Sequence, residues 1–338
     1  MISFIKKIIG FVIFCLLFGL FLFYVLKFPK YYPKNMQEEL PTDFFGVTYS
    51  KKYAEELGLD WKAVYLKMLD DLDIKYIRLP VYWDDIEKKE GVFDFSDYVF
   101  MIEEGEKRDV DFILSFGMRT PRWPECHIPE WINILDEEYL KEKTTTMLES
   151  VVNTFKKYES ISYFQVENEP LLNTFGICPK SDYDFLKKEV DLVRKLDAKP
   201  IIISATGELS LWSRETDIAD VFGTTMYRVV HNPFLGYIKY PYNEGFYKTK
   251  AEILKLNVDN VFIVELQAEP WLSMEKILDV NNREYLESFS LEQFRANARF
   301  AANTGFRRAY LWGVEWWYFR DIVADDSSYL DLAREIIK

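Results

Sequence analysis

The chain has 338 residues, 49% hydrophobic and 29% charged, the balance of a folded globular protein, which excludes disorder or a collagen-like repeat as a description of the whole. With 42 Lys and Arg against 55 Asp and Glu, the net charge is −13, and an acidic body argues against nucleic acid as a partner. Two histidines, His127 and His231, and three cysteines are too few for a histidine-rich metal site or a cysteine zinc cage, so no metal or cofactor is expected.

Residues 8–26, IIGFVIFCLLFGLFLFYVL, carry no charge. At 1.5 Å per residue such a run reaches about 28 Å, close to the ~30 Å hydrocarbon core of a bilayer. A cleavable signal peptide would have a shorter apolar stretch and a small-residue cleavage site, whereas KFPKYYPKN follows here. The sequence therefore predicts a membrane anchor over 1–28, with the lipid bilayer contacted through 8–26, and a linker over 29–42. Lysines flank the run on both sides, so the positive-inside rule does not orient it.

The remainder, 43–338, alternates apolar, β-branched runs with helical patterns. Strands are expected at 44–50, 75–83, 110–118, 161–170, 200–206, 221–229, 261–270 and 307–317. Helices are expected at 61–71, 98–108 and 137–158, from 181, near 248–256, after the capping box Ser290-x-x-Gln293, and at 329–337. Eight β-then-α units predict a parallel sheet closed into a single (β/α)8 TIM barrel, preceded by the N-terminal transmembrane helix. A doubly wound open sheet is the alternative, but no G-x-G-x-x-G turn follows any strand.

A barrel of this type holds its active site at the C-terminal ends of the strands. Those ends carry Arg78 and Trp83, Arg122 and Trp123, Asn168 and Glu169, Tyr227, Glu265 with Glu269 and Trp271 beyond it, and Trp312, Glu315 and Trp316. Two carboxylates at one mouth suit glycoside hydrolysis, one giving a proton and the other attacking the anomeric carbon. Aromatic residues make up 17% of the chain, with nine Trp, and indoles at the rim would stack on sugar rings. Each feature has a plainer reading. A Glu at a strand end often caps a helix, Glu265 and Arg78 suit a buried ion pair, and single tryptophans suit the core. Glu167 lies two residues before Glu169 and reads as a deeper structural partner.

Taken together, FQVENEP, YIRLPVYWDDIEKKEGVFDFSDYVF, RTPRWPECHIPEWI and VFIVELQAEPW resemble motifs of the clan A glycoside hydrolases. These are retaining (β/α)8 enzymes, and the nearest in motif are the cellulase and β-galactosidase type families. The resemblance covers 44–319 and sets the two glutamates 96 positions apart (265 − 169). It implies Glu169 as acid/base and Glu265 as nucleophile, with Asn168 on the sugar 2-hydroxyl. Arg78 and Tyr227 would orient Glu265, and Trp312, or Trp316 in its place, would lie under the sugar. Trp83, Trp123, Arg122 and Trp271 are the further candidates for substrate contact, and Glu269 is the reserve candidate for catalysis. The implied activity is cleavage of β-glycosidic bonds in a neutral oligo- or polysaccharide. A carbohydrate-binding pseudoenzyme and a transglycosylase are the alternatives. Cys126 and Cys178 fall in neighbouring loops and could bridge if the body faces an oxidising, extracytoplasmic compartment, while reduced, packed cysteines are the other outcome. Cys15 is expected to stay free.

Overall fold

The computed structural model describes residues 10–20 and 40–338. Ten strands occur among them: β1 (Phe45–Thr48), β2 (Tyr76–Tyr82), β3 (Asp111–Gly117), β4 (Ile161–Val166), β5 (Ile201–Ala205), β6 (Val221–Met226), β7 (Val229–Asn232), β8 (Gly236–Lys239), β9 (Val261–Gln267) and β10 (Arg308–Trp312). Eight of them close a barrel in the order β1-β10-β9-β6-β5-β4-β3-β2, every pair parallel. The (β/α)8 expectation holds, and each barrel strand lies inside the run that predicted it.

Along each strand alternate residues face the same way. One face packs Val47, Ile77, Leu79, Leu114, Phe116, Phe164, Val166, Ile203, Ile263, Leu266 and Leu311 into the large apolar cluster shared with the helices. The other face builds a smaller cluster from Ile113, Ile202, Val221, Phe262, Val264 and Tyr310, with Tyr76 and Tyr163 against it. Two residues further along β2, β3, β4 and β5 the same face carries Arg78, Ser115, Gln165 and Ser204, all fully buried. Within one barrel the interior thus changes from apolar at the bottom to polar at the top. Gly46 makes room for this filling, because a Cβ there would sit 2.5 Å from the Tyr76 carbonyl oxygen and 3.0 Å from the Tyr310 ring.

Helix starts follow local chemistry. Asp60, Asp136, Asp182 and Ser290 each accept a hydrogen bond from a backbone N–H in the first turn of the helix they precede. The serine end of the capping box therefore forms, although the Gln293 amide turns to Asn297 instead of back to Ser290.

Three features differ from the sequence expectation. The eighth strand stops at Trp312, because Gly313 takes φ +135° and Val314–Ala324 is helical. The sixth run divides into β6 and the first strand of an antiparallel hairpin, β7–β8, inserted before β9. The fourth strand ends at Val166, and Glu167 and Glu169 lie in the left-handed region with φ of +59° and +43°. Of the predicted anchor over 1–28, residues 10–20 are helical, and residues 1–9 and 21–28 lie outside the described residues. No helix among the described residues is long and apolar enough to cross a membrane. The predicted linker lies outside them as far as residue 39.

Cys126 and Cys178 form a disulfide with a Cα–Cα distance of 5.2 Å, and Cys15 is free and exposed. The bridge ties the loop after β3 to the loop after β4 across 52 residues. Replacing Cys178 with Ala should lower unfolding stability by ~2–4 kcal/mol. Urea denaturation with and without reductant checks this: the gap from wild type should close once the wild-type bridge is reduced.

Candidate active site

The polar top of the barrel is organised around Arg78, fully buried on β2. Its Nε donates to Gln165 Oε1 at 2.7 Å, Nη1 to Glu265 Oε1 at 2.8 Å, and Nη2 to Asn168 Oδ1 at 2.8 Å. One guanidinium thus joins the second, fourth and seventh barrel strands. The ion-pair reading of Glu265 and the site reading both hold, because Glu265 also lines a cavity of about 960 Å³ at the strand ends. The Tyr227 hydroxyl donates to its other oxygen at 2.8 Å.

Glu169 faces the same cavity from the turn after β4. Its backbone N–H donates to Ser204 Oγ at 2.9 Å, and Thr225 Oγ1 donates to its Oε1 at 2.8 Å. Thr225 is also the register partner of Glu265 in the sheet. Adjacent strands lie ~4.8 Å apart, so the threonine that holds the Glu169 carboxyl sits beside Glu265 in the sheet and makes the two glutamates neighbours. Their surroundings differ in charge. Burial pushes the Glu169 carboxyl up to about 7, with the Glu265 charge adding to the rise and the Thr225 hydroxyl opposing it, whereas Glu265 is held by a guanidinium and a phenol. A carboxyl that holds its proton beside one paired with a guanidinium is the arrangement acid–nucleophile chemistry requires. Left-handed backbone in a non-glycine residue costs energy and concentrates at functional sites, and Glu169 adopts it.

Glu167 has the structural role expected of it. Its carboxylate accepts the backbone N–H groups of Met118 and Arg119 at 2.7 and 2.6 Å. Gly117 allows this, since a Cβ there would lie 2.4 Å from Glu167 Oε1.

The tryptophan assignments divide. Trp123, Trp271 and Trp312 line the cavity. Trp83 and Trp316 do not, and they are corrected to core residues. Trp83 is fully buried with its indole N–H on Glu87, and Trp316 packs against Tyr285, Phe289 and Tyr329 because its segment is helical. Phe175, not anticipated, joins Trp123 to Trp271 through edge and tilted ring contacts, and Trp271 meets Tyr227 at 5.3 Å. An aromatic wall therefore runs from the rim down to the phenol that holds Glu265.

Arg122 also lines the cavity, but its guanidinium is occupied. It lies between the Tyr53 and Trp312 rings at 3.6 and 3.9 Å and pairs with both Glu269 and Glu315. It acts as the backing of Trp312. Glu269, the reserve catalytic candidate, also lines the cavity and has one carboxyl oxygen paired with Arg122. Four cavity-lining acids were missed by sequence reasoning, Glu56, Glu125, Glu208 and Glu284, of which Glu125 and Glu208 are buried. Glu125 stood in the quoted third-strand loop beside Cys126, and that adjacency was the available signal; nothing local distinguishes Glu208. Among the described residues no group of three or more His, Cys, Asp and Glu side chains is placed to hold a metal ion.

Burial pushes the carboxyls of Glu167, Glu169, Glu208 and Glu315 up to about 7 and that of Glu125 up to about 8, from an ordinary 4.5. In each the folded pKa lies above the unfolded one, so the folded state binds more protons between these values. Their contribution is full below about 4.5 and is lost as pH rises through about 7–8. The melting temperature should therefore fall between pH 5 and pH 8.5, as differential scanning fluorimetry in matched ionic strength would record. A Glu125→Gln, Glu208→Gln double variant should show a shallower fall.

No protein-family model matches the sequence, and no curated protein is similar to it at sequence level. The fold is similar to solved structures. Exo-beta-1,4-mannosidase Op5Man5 from Opitutaceae bacterium strain TAV5 matches 82% of this chain at 12% identity and TM-score 0.53. This chain spans 54% of that protein's length. A GH5_18 protein from Bifidobacterium longum subsp. longum ATCC 55813 matches 80% of this chain and 69% of its own at 12% identity, with TM-score 0.56. Xylanase 10B from Thermotoga maritima matches 80% and 82% at 15% identity, with TM-score 0.52. At such identities the likeness is one of fold, and the fold is the closed (β/α)8 barrel that the clan A resemblance implied.

Proposed function

We propose that the protein is a retaining glycoside hydrolase acting on β-glycosidic bonds of a neutral glycan. The observation that carries this reading is the convergence of Glu169 and Glu265 on Thr225 at the C-terminal ends of the barrel strands. The fold likeness to a mannosidase and a xylanase supports the reading at the level of architecture.

In the first step Glu169 donates its proton to the leaving oxygen as Glu265 attacks the anomeric carbon. The C–O bond breaks and a glycosyl ester forms on Glu265. Arg78 and Tyr227 stabilise Glu265 as an anion before attack and as a leaving group afterwards. In the second step Glu169, now ionised, takes a proton from water as water attacks the same carbon, and the ester is released with net retention. Carboxyls brought together by one residue suit the ~5–5.5 Å spacing of a double displacement better than the ~6.5–9.5 Å that leaves room for water in an inverting site. Asn168 faces the sugar 2-hydroxyl, and Trp312, Trp123 and Trp271 receive sugar rings. A transglycosylase would use the same site, with a glycan hydroxyl replacing water.

For location, we propose that the apolar run 8–26 anchors the chain to a membrane with the barrel outside the cytoplasm. Its lack of charge and the Cys126–Cys178 disulfide support this. Carbonate-resistant membrane fractionation combined with protease accessibility on intact cells tests it.

Glu265→Ala should lower kcat by at least ~10^4-fold, and azide should restore turnover as the inverted glycosyl azide. Glu169→Ala should lose ~10²–10⁴-fold on substrates with poor leaving groups, while an activated aryl glycoside should still be attacked in the first step. With Glu169 at about 7, wild-type kcat/KM should fall above neutral pH as the acid loses its proton, and Glu169→Gln should abolish that limb. NMR of the first-formed anomer decides the stereochemistry; an inverted product would refute the double displacement.

A further inference from the structure

Glu125 is a carboxyl that the mechanism above does not use. It is 7% exposed and lines the cavity. Its protein contacts are long: Asn168 Nδ2 lies 3.5 Å from Oε2, and Arg119 Nη2 lies 3.7 Å away. Arg119 is itself engaged, with Nη1 on Cys178 Sγ and Nη2 on the Phe175 carbonyl.

The backbone holds Glu125 in place from several directions. It adopts φ +75°. Its N–H donates to the Arg122 carbonyl at 2.7 Å, and its carbonyl accepts from Thr120 N–H at 2.9 Å. The next residue is bridged to Cys178. Gly176 packs so closely that a Cβ there would lie 2.7 Å from Glu125 Cβ. A left-handed glutamate fixed by a disulfide and a glycine, yet lacking a close partner for its carboxyl, is a side chain aimed at something else.

Asn168 defines what that is. Its Oδ1 is fully used by Arg78, Gln165 and Ser204, which leaves Nδ2 as the donor on the cavity side. A donor and an acceptor side by side, slightly too far apart to satisfy each other, are matched by a group that accepts from one and donates to the other. A hydroxyl does both; an ether oxygen, a methylene or an N-acyl carbonyl does not.

We propose that Glu125 is a substrate-contacting residue that accepts the hydrogen bond of the sugar 2-hydroxyl while Asn168 Nδ2 donates to the same oxygen. The assignment rests on the glycosidase reading and adds to it a residue that selects sugars with a free hydroxyl at that carbon. Burial and the charges of Glu265 and Glu169 push this carboxyl up to about 8, and Arg119 opposes them. Both its neutral and its ionised forms keep an acceptor oxygen, so the contact survives either way.

The test uses the full-length protein, a panel of 4-nitrophenyl β-glycosides (mannoside, glucoside, galactoside, xyloside) and the 2-deoxy counterpart of whichever is hydrolysed. Glu125→Ala should reduce kcat/KM on the 2-hydroxy substrate ~10–100-fold, the cost of leaving a buried polar group without its partner. It should change the 2-deoxy substrate by less than about threefold. Glu125→Gln, which keeps an acceptor oxygen, should recover most of the loss. The 2-deoxy rate serves as the folding control within each variant. Equal losses on both substrates, or no loss on either, overturn the assignment while leaving the glycosidase reading intact. A wild-type protein inactive on every glycoside sinks that reading, and this inference with it.

Discussion

A guanidinium buried among side chains of three strands is costly to desolvate unless each nitrogen finds an acceptor and a counter-charge is close. Arg78 meets both conditions through Gln165, Asn168 and Glu265, and much of the site follows from that requirement. The arginine fixes the ionised carboxylate and aligns the amide beside it. Gln165, having spent its oxygen on Arg78, turns its amide N–H groups to the Glu167 carbonyl, Asn168 Oδ1 and Ser204. Ser204 in turn accepts the Glu169 N–H. The two carboxyls are therefore positioned by one connected set of hydrogen bonds that spans four strands.

The same connectedness explains why the two acids behave differently in one cavity. Glu265 lies next to the positive charge. Glu169 receives only a hydroxyl and shares the low-dielectric space with an anion, so its proton is held. Around them, positive charge is placed behind aromatic or backbone cover: Arg122 between two rings and Arg119 against the disulfide loop. Beside Arg122, Lys276 and His231, the cavity is lined by indoles, phenols, carboxyls, amides and aliphatic side chains, a mixed lining suited to uncharged polyols.

The sequence revealed the barrel because its signal is repeated: eight β-branched runs each had to fill a closed interior, and no single misplaced boundary changes the count. It singled out Arg78, Asn168, Glu169, Tyr227 and Glu265 because strand-end position and the clan A resemblance pointed to the same residues, and the fold brings them together. It failed where position depends on the next turn. Trp316 looked like a rim indole until Gly313 turned the chain into a helix, and Trp83 was one residue past its strand but rotated into the core. Glu125, Glu208 and Phe175 sit on loops, where the residue type carries no periodicity and only the folded path decides what faces inward. The hairpin β7–β8 escaped because its strands are four residues each and half exposed.

All eight barrel strands run the same way, and the chain enters the first of them at Phe45, at the apolar end of the interior. Whatever joins the barrel on that side is separated from the cavity by the full height of the sheet. A barrel held by its amino end to any surface would present its mouth outward, like a cup fixed by its base. Polymers approaching from the surroundings would meet the aromatic wall first. The same orientation recommends the amino end for attachment to a bead or an electrode, with the working face left open.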